Sequence, residues 1–302
     1  MKAPVNKIIP LSVVDGPGNR TSVFLQKCNI SCAYCHNPET QRLCNGCGIC
    51  VENCPVQALG LRRVSIPDHG PQKDVSEDIK SRQIEMGQPY VSWDEEKCTG
   101  CDTCIRVCPN NSSPKIHEME AEEVYREIKK NIPFIRGITV SGGECTLYPE
   151  FLTELFTRVR AEGLTCYIDS NGCVDLSLSP GLMDVCDKVM LDVKAWNEDV
   201  FYRLTKGSHE IVKKNLVYLA KRHQLEEVRI VCLDPEVDVE AAIRGIAESI
   251  SEHLEEFTLK LIAFRSHGVR TELKNRETPC YEQMEIWRGI AVNCGFSNIR
   301  IV

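Results

Sequence analysis

Three cysteines, spaced Cys28-x3-Cys32-x2-Cys35, constrain this chain of 302 residues more than any other feature. A cuboidal iron–sulfur cluster is normally held by four cysteine thiolates. A tight trio leaves one iron open to a small molecule, just as a catalytic metal keeps one coordination position open. The trio therefore predicts a reacting cluster rather than a storage site. A zinc knuckle or a chance trio is the alternative.

Two further groups of cysteines share a second spacing. The segments from Cys44 to Pro55 and from Cys98 to Pro109 both read Cys-x2-Cys-x2-Cys-x3-Cys-Pro. This is the run of bacterial ferredoxins, in which the fourth cysteine of each run binds the other cluster. The predicted ligand sets are Cys44, Cys47, Cys50 and Cys108 for one cluster, and Cys98, Cys101, Cys104 and Cys54 for the other. A pair of zinc sites, each with four thiolates, is the alternative.

Composition excludes several classes of protein. The chain has 18 cysteines, but it is long, lacks an apolar signal segment and clusters most of its thiols, which excludes a disulfide-rich secreted protein. The net charge of −7 argues against a nucleic-acid partner, and no apolar stretch is long enough for a membrane span. Exposed clusters and free thiols predict a reducing, cytoplasmic location. The cysteines outside the three groups are expected mostly in the core: Cys145, Cys166, Cys173, Cys186, Cys232, Cys280 and Cys294.

Strands alternate with helices after about residue 115, which predicts a parallel sheet with outer helices. About six repeats are present, fewer than a full eight-fold barrel needs. The expected strands are Thr21–Gln26, Ile138–Val140, Cys166–Ile168, Val189–Leu191, Val228–Val231, Thr258–Ile262 and Ile299–Val302. The expected helices are Ala121–Asn131, Pro149–Ala161, Glu210–His223, Val239–His253 and Tyr281–Cys294. Residues 41–114 form the predicted insert, in which the polar stretch Arg62–Gly87 is expected to be a loop.

Polar residues follow three of these strands, and Arg229 lies within a fourth. The segments are Ser141–Glu144, Asp169–Gly172 and Asp192–Lys194. In β/α barrels the functional residues lie at the carboxyl ends of the strands. Paired glycines allow close approach of a ligand, a glutamate can accept from an ammonium group, and a lysine can pair with a carboxylate. Together they suit an amino-acid zwitterion, whereas an ordinary strand-to-helix turn is the alternative for each motif alone.

The segment Phe24–Asn37, with Tyr34 between the last two cysteines, strongly resembles the radical S-adenosylmethionine (SAM) superfamily. The whole chain resembles the glycyl radical enzyme activating enzymes of that superfamily, which include pyruvate formate-lyase activating enzyme. The supporting segments are Asp15–Arg20, Tyr34–Glu39, Ser141–Glu144, Asp169–Gly172 and Leu191–Lys194. The two-cluster insert and the stretches around Lys7–Pro10 and Ala263–Val269 are most similar to the YjjW-type activases.

This resemblance implies an α/β fold, a partial (β/α)6 radical SAM barrel (residues 1–40 and 115–302) with an inserted bacterial ferredoxin-like two-cluster domain (residues 41–114). It implies three [4Fe–4S] clusters, SAM and a monovalent cation. A low-potential donor, flavodoxin or ferredoxin, would deliver electrons, and SAM would be cleaved to a 5′-deoxyadenosyl radical. That radical would take the α-hydrogen of a glycine in a partner glycyl radical enzyme. A radical SAM enzyme acting on another substrate, or a ferredoxin-like electron-transfer protein, is the alternative.

The resemblance also implies residue roles. Catalytic cluster ligands would be Cys28, Cys32 and Cys35. The SAM-binding residues would be Tyr34, Gly142, Gly143 and Glu144 (the last three at the amine), with Lys194 at the carboxylate and Arg229 in support. The cation site would comprise Asp169, Ser170, Asp192 and the carbonyl of Met190. The loop with Asp15 and Gly16 would meet the glycyl radical peptide. Two positions depart from the family pattern: Cys145 replaces a proline, and Arg265 replaces a histidine. Either Arg265 or His267 takes over the SAM contact of that histidine, or the contact is lost.

Overall fold

The computed structural model describes residues 1–63 and 88–302. The strands within these ranges are β1 (Lys2–Ser12), β2 (Arg20–Leu25), β3 (Leu59–Arg63), β4 (Pro89–Trp93), β5 (His117–Glu120), β6 (Gly137–Gly142), β7 (Thr165–Ser170), β8 (Lys188–Asp192), β9 (Leu225–Cys232), β10 (Thr258–Ala263) and β11 (Ile299–Ile301). The α-helices are α1 (Ile49–Glu52), α2 (Thr103–Arg106), α3 (Ala121–Lys129), α4 (Pro149–Ala161), α5 (Pro180–Val185), α6 (Glu198–Thr205), α7 (His209–Lys221), α8 (Val239–Ser249) and α9 (Tyr281–Asn293).

The main sheet has nine strands in the order β11-β10-β9-β8-β7-β6-β2-β1-β5. In this sheet order, each pair of neighbours from β11 to β2 is parallel, whereas β1 pairs antiparallel with both β2 and β5. Helices follow the parallel strands and bury their apolar faces against the sheet, as in α4, where Phe151, Leu152, Leu155 and Phe156 are fully buried. This is the predicted α/β fold with a mostly parallel sheet.

The predicted elements of the barrel are all present, but β1, β5, α5 and α6 were not predicted. The sequence of β1 contains Pro4 and Pro10. They argue against a strand, because proline lacks the N–H that a sheet ladder uses. The strand β5 has four residues, and the short helix α6 lies between two stronger repeats. Edge strands and short helices thus escaped prediction, while the central repeats did not.

A second sheet pairs β3 with β4 in antiparallel fashion and belongs to the predicted insert. Among the described residues, its buried apolar cluster consists of Cys50, Leu59 and Val91. Arg62 and Arg63 end β3, so the loop predicted for Arg62–Gly87 was wrong at these two positions, and residues 64–87 lie outside the described part. The boundaries at residues 40 and 115 remain a prediction. Among the described residues, no helix is long and apolar enough to cross a membrane.

Candidate active site

A cavity of about 320 Å³ lies at the carboxyl ends of the parallel strands. Most of the predicted site residues line it: Cys28, Cys32, Tyr34, Cys35, Gly142, Gly143, Asp169, Ser170, Asp192, Lys194 and Arg229. These residues come from the loop after β2, from the ends of β6, β7 and β8, and from the interior of β9, and these strands are neighbours in the sheet. The parallel sheet therefore brings together segments that lie about 200 residues apart in the sequence.

Close backbone contacts join the end of β6 to the segment that leads into the cysteine trio. The amide of Gly143 donates to Leu25 O at 2.9 Å, and the amide of Glu144 donates to Lys27 O at 2.8 Å. A β-carbon on Gly142 would lie 2.1 Å from Leu25 O, and one on Gly143 would lie 2.2 Å from Lys27 O. Only glycine fits at these two positions, so the Gly-Gly pair holds the loop that carries Cys28.

Alternating charges line the cavity floor. Arg229 donates to Asp169 Oδ1 at 3.0 Å and to Glu227 Oε2 at 2.7 Å, and Lys194 Nζ lies 2.9 Å from Asp192 Oδ2. Burial alone would lower the pKa of Lys194, but Asp192, Cys32 and Tyr34 outweigh it and hold that pKa well above its usual value. Both cations therefore stay charged, and the cavity can bind a carboxylate.

Glu144 does not line the cavity, although Gly142 and Gly143 do. Its Oε1 accepts from the amide and hydroxyl of Thr146 and from the hydroxyl of Ser170, at 3.1, 2.6 and 3.0 Å. Its Oε2 accepts from the amide of Asn171 at 2.8 Å. The predicted contact of this carboxylate with an ammonium group remains a prediction, and in the structure it ties the end of β6 to the end of β7.

Tyr34 is 3% exposed, and its hydroxyl has no hydrogen-bond partner among the described residues. The ring lies 5.9 Å from Lys194 Nζ. A buried hydroxyl without a partner is costly, so an unpaired one at a cavity wall marks room for a ligand. With three thiols and two cations in the same wall, these residues fit a cluster with an open position and an amino-acid zwitterion.

A second cavity of about 530 Å³ adjoins the first and shares His36, Arg229 and Ile262 with it. Asp15 and Gly16 line the second cavity. Asp15 Oδ2 accepts from the hydroxyls of Ser12 and Ser22, both at 2.6 Å. The predicted peptide loop thus lines the second cavity, which adjoins the first.

Arg265 and His267 are the two residues considered in place of the family's histidine. Arg265 lines this second cavity, whereas His267 is exposed. The carbonyl of Arg265 lies 2.9 Å from His36 Nε2. A β-carbon on the neighbouring Gly268 would lie 2.1 Å from His36 O. The loop after β10 therefore packs against the trio loop, and a SAM contact from Arg265 or His267 remains a prediction.

Two small cavities bring together the cysteines of the predicted ferredoxin sets. One is lined by Cys44, Cys47, Cys50 and Cys108, together with Cys104. The other is lined by Cys54, Cys98, Cys101 and Cys104. The fourth cysteine of each run therefore faces the other set, as the ferredoxin pattern predicts.

Asn171 was missed as a site residue, although it belongs to the Asp169–Gly172 segment. Its Nδ2 lies 3.4 Å from Cys28 Sγ. The pattern could have indicated it, because the residue directly follows Ser170 at a strand end.

The expectation of buried cysteines was confirmed for Cys145, Cys166, Cys173, Cys186 and Cys232, whereas Cys280 is exposed and Cys294 is half-buried.

Three family models match the chain. A model of the radical SAM superfamily matches residues 95–244, a 4Fe-4S dicluster domain matches residues 43–112, and a 4Fe-4S single cluster domain matches residues 14–59. The dicluster match covers both ferredoxin-type runs, and the single-cluster match includes the trio. Radical SAM chemistry and iron–sulfur clusters are therefore properties of this chain.

Curated relatives match nearly the full length. The indoleacetate decarboxylase activating enzyme of Tractidigestivibacter scatoligenes is 30% identical over 89% of this chain and 85% of its own length. A Haemophilus influenzae protein named after glycyl-radical enzyme activation is 27% identical over 98% and 95%. The (2S)-3-sulfopropanediol dehydratase activating enzyme of Klebsiella oxytoca is 26% identical over 85% and 80%. With the trio, the strand-end residues and these relatives together, the chain belongs to the glycyl radical enzyme activating enzymes of the radical SAM superfamily.

Proposed function

We propose that this activating enzyme binds SAM in the 320 Å³ cavity beside Cys28, Cys32 and Cys35 and activates a partner through the neighbouring cavity. The observation that supports this most is the convergence of three thiols, two glycines and two cation–carboxylate pairs on one cavity wall. When bound, a [4Fe–4S] cluster and SAM supply the electron and the radical chemistry that removes a hydrogen atom. The chain's own residues bind, orient and exclude water.

The zwitterionic part of SAM is proposed to lie between β6 and β8. Carbonyls of Gly142 and Gly143 can accept from its ammonium group, and Lys194 and Arg229 can pair with its carboxylate. Tyr34 closes the wall beside Lys194. The carboxylate of Glu144 keeps the β6 and β7 loops in register behind this contact.

A monovalent cation is proposed beside the same carboxylate, held by Asp169, Ser170, Asp192 and the carbonyl of Met190. Each acid already pairs with a cationic side chain, Asp169 with Arg229 and Asp192 with Lys194. A carboxylate offers about four lone-pair sites, so one oxygen can keep its partner while the other binds a cation. The cation would therefore share these acids rather than replace their partners.

The glycine of the partner is proposed to enter through the second cavity, past Asp15 and Gly16. This cavity meets the first at His36, Arg229 and Ile262, which gives a route from the Asp15 loop to the SAM cavity. A peptide bound there would keep water away from the reacting atoms. The identity of the partner follows only as a class, a glycyl radical enzyme.

The insert is proposed to hold two further [4Fe–4S] clusters, one on each predicted cysteine set, for a total of three. A low-potential donor, flavodoxin or ferredoxin, would reduce them. Cys47 and Cys101, one from each set, are exposed, so electrons can enter from a docked donor. Thiols that accessible need a reducing compartment, which supports a cytoplasmic location.

The variant Cys32→Ala tests the site. The wild type is expected to hold about twelve irons per chain, and the variant about two-thirds of that, because the trio cannot be completed from elsewhere. Formation of 5′-deoxyadenosine under dithionite should be abolished. The matched control is Cys232→Ala, which removes a buried core thiol and should keep both iron and turnover. Normal 5′-deoxyadenosine formation by Cys32→Ala would contradict the assignment, as would zinc in place of iron in anaerobically purified protein.

A further inference from the structure

The side-chain amide of Asn171 reaches a sulfur of the cysteine trio. Its Nδ2 lies 3.4 Å from Cys28 Sγ, and the residue is 6% exposed. An amide N–H at this distance from a thiolate is a hydrogen-bond donor to sulfur. Hydrogen bonds to the sulfurs are one of the features that set the reduction potential of a cluster.

Neighbouring groups fix which end of this amide faces the sulfur. Asn171 Oδ1 accepts from the backbone amide of Cys173 at 2.8 Å, so the NH2 group must point the other way. That NH2 group donates its second hydrogen to Asn29 Oδ1 at 3.0 Å. An amide orientation is assigned from such partners, and here both ends agree.

The backbone of Asn171 is also held in place. Its amide donates to Glu144 Oε2, and the other oxygen of that carboxylate binds Ser170 and Thr146. Glu144 is 1% exposed. The donor to Cys28 is thus part of a buried network that leaves it little freedom to turn away.

We propose that Asn171 is a positioning residue that raises the reduction potential of the cluster at the trio through its N–H···S hydrogen bond to Cys28. The inference rests on the proposed cluster at Cys28, Cys32 and Cys35. The reduced cluster carries one more negative charge than the oxidised one, so a donor to its thiolate stabilises the reduced form more. The residue thereby eases the electron transfer that precedes SAM cleavage.

The test is Asn171→Leu, which keeps the branched shape of the side chain and removes the donor. The potential of the trio cluster is measured without SAM, by redox titration of the full-length reconstituted protein followed by electron paramagnetic resonance. Its signal is the one that Cys32→Ala lacks. We expect the variant's equilibrium to shift about tenfold toward the oxidised cluster, which is 59 mV for one electron. The insert clusters should titrate as in the wild type.

Asn215→Leu is the matched control. Asn215 is a fully buried asparagine that binds Gly172 O, Val174 O and the amide of Leu176, so it braces the same loop, and none of these partners is a sulfur. If Asn171 acted only by bracing the loop, both variants would shift the potential equally, and the inference would be overturned. A shift in Asn171→Leu alone supports it.

Asn171→Ser is the second variant, for the case that leucine disturbs the loop. Serine is neutral and can still accept from the amide of Cys173, but its hydroxyl is too short to replace the bond to Cys28. The same downward shift is expected. An unchanged potential in a variant that keeps all its iron overturns the inference, and so does loss of the trio iron in both variants, since a tuning bond is not needed to hold three thiolates. If Cys32→Ala lacks no signal, the proposed function itself fails.

Discussion

Glu144 serves the site from behind the cavity wall. Burial raises its pKa, and hydrogen bonds from Thr146, Asn171 and Ser170 act in the opposite direction. Those bonds join the ends of β6 and β7, so this carboxylate orders the loops that carry Gly143 and Asn171. The contact of this carboxylate with an ammonium group remains a prediction of the Gly-Gly-Glu motif, whereas its hydrogen bonds to β7 depend on the fold and could not be predicted from the motif.

At the same scale, Asp15→Ala is expected to uncouple radical transfer from SAM cleavage. The clusters, the barrel and dithionite-driven 5′-deoxyadenosine formation should stay near wild type, because Asp15 lines the second cavity and not the first. Glycyl radical yield, measured by electron paramagnetic resonance with the partner or a glycine-containing peptide, should fall about tenfold or more, since a misplacement of about 1 Å can cost ~100-fold.

Asp15→Asn separates charge from position. The asparagine oxygen can still accept from Ser12 and Ser22, so the turn keeps its shape. A low radical yield in this variant would show that the charge grips the peptide, whereas a normal yield would show that the turn geometry is what matters. Unchanged radical yield in Asp15→Ala contradicts the peptide-gripping role, and a parallel fall in SAM cleavage places Asp15 in the cofactor site.

His209 predicts a pH dependence of stability. It is fully buried at the start of α7, with ring centroids 4.9 Å from Trp196 and 5.4 Å from Phe201, and neither ring nitrogen has a partner in the described part of the chain. Burial, with a smaller effect of Lys213, lowers its pKa to about 4. The unfolded chain binds the proton first, so this stability is present above about pH 6.5 and is lost as the pH falls toward 4.

From pH 7 to pH 5.5 the wild type should lose about 1 kcal/mol more of its unfolding free energy than His209→Phe does. The phenylalanine keeps the aromatic packing and removes the titrating group. Anaerobic urea unfolding at the two pH values measures this difference. Equal losses in both proteins would mean that His209 finds a proton acceptor in the folded state.

At the scale of elements, the end of β6 depends on two glycines that pack against the trio loop. Gly143→Ala would place a β-carbon 2.2 Å from Lys27 O and 2.7 Å from Thr40 O, both backbone atoms that cannot rotate away. We expect a loss of about 1–3 kcal/mol of stability and of the trio iron. The control is Gly181→Ala in α5, where a β-carbon meets nothing within 4 Å. Iron analysis and urea unfolding check both, and full iron in Gly143→Ala would contradict the expected displacement.

The central elements were predictable because burial imposes a period on them. The predicted and observed bounds of α4, Pro149–Ala161, coincide. The strand β5 was not predictable, since its partner β1 is distant in sequence and its residues, His117–Glu120, are mostly polar. Pairing at a sheet edge is decided by the tertiary fold rather than by a local pattern.

At the scale of the molecule, the sheet brings residues from separate segments together around two adjoining cavities. The strand-end pattern and the family resemblance predicted that the trio and the strand-end residues form one SAM site, and they assigned the Asp15 loop to the peptide. The shared wall at His36, Arg229 and Ile262 depends on strand order and on the loop after β10. It cannot be obtained from composition or spacing, because it is a long-range property of the fold.

The insert leaves and re-enters the barrel at one place. Arg42 N donates to Asn111 O at 3.2 Å, and Ser113 N donates to Glu39 O at 2.9 Å. Replacing residues 43–110 with a short glycine-rich turn should therefore leave the barrel folded, because the flanking ends are already side by side. We expect about four irons per chain and near-normal 5′-deoxyadenosine formation with dithionite, but little with flavodoxin or ferredoxin. Loss of the trio iron in this deletion would contradict the prediction.

Because its two ends are adjacent, the insert could also be exchanged for a different domain. A segment that begins and ends at the same point can be swapped for another without moving the strands around it. With electron entry at the insert, as proposed, the barrel could then be matched to a new electron donor by exchanging this one segment. The choice of donor and the choice of partner enzyme would thus be free to change independently.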